Sequence, residues 1–115
     1  MSDSLSPRER IRKKKEFLVI YKKGTRYRGK YFTIVHISND LNFSRMAVVV
    51  SKKIGNAVKR NKIKRWIRTL FRMNKTLMDE SLDLIIIPKK EIQEAEWPEL
   101  QEEFLKALKS LRQSC

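Results

Sequence analysis

The sequence of 115 residues has a single cysteine, and it is the last residue, Cys115. An intrachain disulfide is therefore excluded, as is a zinc site built on cysteine pairs. Glycine and proline number three each, too few for a collagen-like or low-complexity chain. The one histidine, His36, has no nucleophile or second metal ligand near it in sequence, and reads as an ordinary strand histidine. No apolar run approaches the roughly 20 residues that a membrane-spanning helix needs. The N-terminal MSDSLSPRER lacks the apolar centre of a signal peptide. These absences lead us to expect a cytoplasmic protein with no membrane partner.

Negative charge is scarce where positive charge is dense. Residues 1–75 hold 22 basic and four acidic side chains, a balance of +18, whereas residues 76–115 hold five and nine, a balance of −4. Asp3, Glu9, Glu16 and Asp40 are too few and too scattered for a two-metal nuclease centre. No glycine-rich phosphate loop, serine triad or acid–base carboxylate pair can be assembled either. We therefore expect no catalytic residue and no metal ligand from the polypeptide itself. Binding is the expected role.

The stretch that organises the chain is SKKIGNAVKRNKIKRWIRTLFR, residues 51–72, with nine basic side chains and no acidic one. On a helix, Ile63, Trp66, Ile67 and Leu70, with Met73 beyond, form an apolar stripe for the core. Asn61, Lys64, Arg65, Arg68 and Arg72 fall on the opposite side. Like charges at this spacing repel by a few tenths of a kcal/mol per pair, a cost that an anionic ligand relieves. Gly55 and Asn56 supply a turn and an N-cap, so that phosphate oxygens would meet helix-start amides together with the ammonium groups of Lys52 and Lys53. A merely solvated basic surface is the bland alternative, and the sorting of nine cations without counter-charges argues against it.

Around this helix the remaining elements fall into place. Ser6, Pro7 and Glu9 resemble a helix start, although the helix could equally begin nearer Lys14, and Gly24 stops it. Phe17 and Tyr21 share one face, with Lys13 a turn earlier. Residues 25–29 read as a short edge strand. Residues 31–37 and 45–51 read as two strands, expected to pair antiparallel across the polar loop Ser38 to Asn42. LDLIII, residues 82–87, is the most apolar run and should be a central strand, parallel to the strand before the basic helix. From Trp97 onward, Leu100, Phe104, Ala107, Leu108 and Leu111 mark a closing helix. Its acids Glu96, Glu99, Glu102 and Glu103 suit the positive end of the helix dipole. The expected fold is a single domain over residues 1–115, α+β, a two-layer sandwich in the order α-β-β-β-α-β-α.

No helix-turn-helix or zinc-finger pattern is present, so DNA is not the expected partner. Aromatic rings beside cations suit single-stranded or folded RNA. The string SKKIGNAVKRNKIKRWIR resembles the signature of the bacterial ribonuclease P protein subunit, whose basic helix carries an Arg-Asn-Arg motif. Here the motif reads Arg60, Asn61, Lys62, which keeps the charge and loses the third guanidinium fork. The pattern Phe17, Tyr21, Gly24 agrees, as do the apolar strand after the helix and the leucine-rich closing helix. The resemblance implies a fold similar to ribosomal protein S5 domain 2, with a left-handed βαβ crossover.

The resemblance also implies partners. These are a catalytic RNA and precursor tRNA, whose 5′ leader the holoenzyme, a tRNA 5′-maturation endoribonuclease, removes with magnesium ions held through the RNA. By position, Lys52, Lys53, Asn56, Arg60, Asn61, Lys62, Lys64, Arg65 and Arg68 would face the catalytic RNA. Lys13, Phe17, Tyr21 and Val35 would line a leader cleft, and Lys64 and Arg68 could serve either RNA. The alternative readings are a ribosomal-type or general RNA-binding protein without a processing role, and a membrane-surface module whose apolar stripe would have to leave the core.

Overall fold

The computed structural model describes residues 7–78 and 80–113. Its elements are α1 (Lys14–Lys23), β1 (Thr25–Arg28), β2 (Phe32–Ser38), β3 (Arg45–Val48), α2 (Ala57–Asn74), β4 (Leu82–Pro88) and α3 (Trp97–Gln113), with 3-10 turns at Pro7–Glu9, Lys52–Ile54, Lys75–Leu77 and Lys90–Glu94. The order is the one expected. Pro7–Glu9 is a separate turn, and α1 begins at Lys14. Asp3, Ser6 and Cys115 lie outside the described residues.

The sheet order is β1-β2-β4-β3. β4 runs parallel to β3 across the α2 crossover, as the pattern indicated, and antiparallel to β2. The expected β2–β3 pair does not form, because β4 lies between them. Burial explains this arrangement: Leu84, Ile85 and Ile86 are all 0% exposed. A strand that is apolar on both faces gains most from a central place with both edges paired. β3, only four residues long, takes the edge. The polar loop that looked like a hairpin turn instead closes the start of β4. Asn39 N–H donates to Ser81 O at 3.1 Å, and Leu82 N–H donates to Ser44 Oγ at 3.0 Å.

α2 and α3 cover one sheet face. Ile63, Ile67, Leu70 and Phe71 of α2 meet Phe32, Ile34, Met46, Leu84 and Ile86, while Leu100, Phe104 and Leu108 arrive from α3. Each large apolar side chain so buried contributes about 1.5–3 kcal/mol. Phe71, 0% exposed, occupies the place assigned by pattern to Met73, which is 51% exposed. Phe71 lies about 40° around the helix from the fully buried Ile67 and stays on the docked side, whereas Met73 lies about 120° from it and turns away. The membrane-surface reading fails here, because the stripe it requires is built into the core.

α1 lies on the other sheet face, where Ile11, Ile20, Val35 and Ile85 make a smaller cluster. Gly24 permits this approach: a Cβ there would come within 2.7 Å of Ile20 O and 3.0 Å of His36 O. The β1–β2 turn is anchored to α3 by Glu103, whose carboxylate accepts the N–H groups of Lys30 and Tyr31, both at 2.8 Å.

Candidate nucleic-acid interface

Two short-range caps hold the entrance to α2. Ser51 Oγ accepts Lys53 N–H at 3.1 Å, and Asn56 Oδ1 accepts Lys59 N–H at 3.0 Å. Ile54, 4% exposed, pins the intervening turn to the core. Lys52 and Lys53 are thereby left exposed just ahead of the helix. Asn56 is the N-cap by geometry, so its amide oxygen already has a backbone donor. Arg60 Nη1 donates to Gly55 O at 2.8 Å, tying the loop to the helix with one of the guanidinium's five N–H groups.

Along α2, Asn61, Lys62 and Arg65 are exposed, and Lys64 and Arg68 are half-buried. Among the described residues no carboxylate forms an ion pair with Lys64, Arg65 or Arg68. The ion pairs of the described residues lie elsewhere. Arg45 holds Asp83 at 2.7 Å and Glu16 at 3.2 Å, and Lys75 holds Glu9. Burial pushes the Arg68 guanidinium below its ordinary pKa, and the Arg10 cation pushes it further. Arginine stays charged regardless, so the shift shows two cations brought together without a counter-ion.

Arg10 was not singled out from sequence. It reaches α2 because its segment joins the edge of β3, with Arg10 bridged to Met46 and Ile11 N–H donating to Met46 O at 3.0 Å. Its Nε is buried and has no acceptor among the described residues, a cost that an incoming anionic oxygen would remove.

The second candidate surface lies on α1. The rings of Phe17 and Tyr21 stack with centroids 6.1 Å apart and planes 11° apart. Tyr21 is 41% exposed, and the Arg26 guanidinium sits 4.6 Å from its ring centroid. Lys13 is exposed one turn earlier. Val35 does not join this surface. It is 0% exposed, packed beneath Ile20, so direct contact with a ligand is ruled out. The resemblance placed Val35 by position, and position does not give the point at which α1 crosses the strand. One register step along the same face, Arg28, Thr33 and Ile87 are cross-strand neighbours and are not fully covered. Among the described residues no three His, Cys, Asp or Glu side chains converge to hold a metal ion.

Comparison with known proteins decides the family. Residues 5–112 match the family model described as Ribonuclease P. The chain belongs to the ribonuclease P protein family. The ribonuclease P protein component of Thermotoga maritima is 40% identical over 94 residues, spanning 82% of this chain and 80% of that one. That of Syntrophus aciditrophicus is 54% identical over 86 residues, spanning 75% and 72%. The solved RNase P protein of Thermotoga maritima superposes with a TM-score of 0.80 at 35% identity, covering 89% of this chain and 96% of that one. The chain is thus a ribonuclease P protein subunit, and its partner class is RNA. For a ribonuclease P protein, the uncompensated cations of α2 and the ring pair of α1 are the two surfaces to account for.

Proposed function

We propose that this subunit binds the catalytic RNA of ribonuclease P through Lys52, Lys53, Asn61, Lys62, Lys64, Arg65 and Arg68, with Arg10 completing that face. Asn56 and Arg60 hold the loop and helix start that present these groups. The 5′ leader of precursor tRNA lies along Lys13, Phe17 and Tyr21 and the neighbouring row Arg28, Thr33 and Ile87. Lys64 and Arg68, beside Arg10 at the β3 edge, stand where the two RNAs would come close. On this reading the RNA performs the cleavage with magnesium ions that it holds itself, and the holoenzyme works in the cytoplasm.

The observation that carries the reading is the absence of carboxylate partners for Lys64, Arg65 and Arg68 among the described residues. A bound cationic protein lowers the repulsion between two polyanions. A leader held by the protein adds binding energy for precursor over mature tRNA, so product leaves more easily.

The test is precursor-tRNA cleavage by the catalytic RNA at low magnesium, with and without the protein. Stimulation is expected. Its absence, with RNA binding retained, would return the chain to general RNA binding without a processing role.

A further inference from the structure

Lys59, Lys62 and Trp66 follow one another along a single edge of α2 at spacings of three and four. Trp66 stands about 200° around the helix from Arg68, so this edge is a different flank from the one beside Arg10. With Ile63 beneath and Ile92 and Gln93 of the Lys90–Glu94 turn opposite, these side chains line an open depression of about 190 Å³. Among the described residues no carboxylate lines it. The Lys62 ammonium sits 4.9 Å from the centroid of the Trp66 ring. Trp97 meets Trp66 edge-on, with centroids 6.1 Å apart and planes at 67°, so the half-buried indole is braced before any ligand arrives. Lys59 and Lys62 are exposed at the rim.

A braced ring, an apolar floor and two cations at the rim are together the chemistry of a nucleotide site. Base stacking on an indole tolerates any base, and phosphate follows the ammonium groups. The lysine at the third motif position fits this role, because an ammonium on a flexible stem can leave the ring face and follow a phosphate as a planar fork cannot. The depression is the size of one base and too small for a helix. We propose that it binds one unpaired nucleotide of the catalytic RNA, stacked on Trp66 with its phosphate between Lys59 and Lys62. This extends the RNA face around α2 toward Trp97, and it rests on the reading of α2 as the catalytic-RNA helix.

Trp97→Phe leaves Trp66 as the only tryptophan of the chain's two. On assembly of that variant with catalytic RNA, Trp66 emission should fall and its access to acrylamide should drop. Trp66→Leu should weaken assembly roughly tenfold, and Lys59→Ala should weaken it by a smaller factor. Melting temperatures are measured in parallel. Lys59 is exposed and takes no part in the core, so its variant carries the test if Trp66→Leu fails to fold. Two results overturn the site: Trp66 emission and quencher access unchanged on assembly, or folded variants that bind as the unaltered chain does. Cleavage stimulation by the unaltered chain separates the two readings. With stimulation present, either result removes the nucleotide site alone; with no stimulation, the reading of α2 as the catalytic-RNA helix fails and the site falls with it.

Discussion

α2 and α3 are helices of 18 and 17 residues docked on the same sheet face, yet they use charge in opposite ways. Two of the three carboxylates of α3, Glu99 and Glu103, turn to their own chain. Glu103, 9% exposed, accepts two backbone N–H groups of the β1–β2 turn. Glu99 accepts the Glu96 N–H and the Tyr31 hydroxyl, and these bonds hold its carboxyl below the usual carboxylate range. Among the described residues the cations Lys64, Arg65 and Arg68 of α2 have no such acid partner, and Arg68 is brought toward another cation instead. Charges with partners inside the chain serve the fold. Charges without them are held ready for another molecule.

The largest effect should come from breaking the internal side of this contrast. Glu103→Ala leaves the N–H groups of Lys30 and Tyr31 without their acceptor, and should cost about 3 kcal/mol by denaturant unfolding. Glu103→Gln, which keeps an acceptor, should cost less. Neither should change RNA affinity once the chain is folded. Breaking the external side should do the reverse. Arg65→Ala and Arg68→Ala should each weaken assembly with catalytic RNA roughly five- to tenfold and lower the log–log salt slope by about 1. Their melting temperatures should hold, and Arg68→Ala should melt no lower, because it removes a poorly hydrated like charge beside Arg10.

Tyr21 stands between the two cases, since Phe17 and Arg26 already touch its ring. Tyr21→Ala should reduce affinity for leader-bearing tRNA roughly fivefold and spare mature tRNA. If it mainly lowers the melting temperature, the ring belongs to the fold.

The smallest effect concerns His36, an internal group whose pKa is lowered by burial, with Glu80 acting the other way. A folded-state value below the unfolded value makes the unfolded chain bind more protons. The contribution is therefore complete above the unfolded value of about 6.5 and is lost as pH falls below it. Melting between pH 7.5 and pH 5 should show a decline that His36→Gln reduces.

Much of this contrast was legible in the sequence, because it rests on local pattern. The α2 stripe, the Asn56 cap and the parallel β3–β4 crossover follow from spacing and turn chemistry within a few residues. Strand order did not follow. The choice between β3 and β4 as the neighbour of β2 depends on which strand needs two covered edges, a property of the whole sheet. Val35 was misplaced for a related reason: the resemblance assigned it by position, whereas burial depends on where α1 lies along the strand. Glu103 looked like one more dipole-favouring acid, since its partners Lys30 and Tyr31 stand more than 70 residues away. Arg10 was missed because its proximity to Arg68 comes from a bridge to β3 that no motif announces.

Lysine-reactivity footprinting of the protein assembled with catalytic RNA tests the division of labour most directly. Lys52, Lys53, Lys62 and Lys64 should become protected from acylation, while Lys106 and Lys109 of α3 stay as reactive as in the free protein. Protection spread evenly over both helices, or confined to α3, would contradict it.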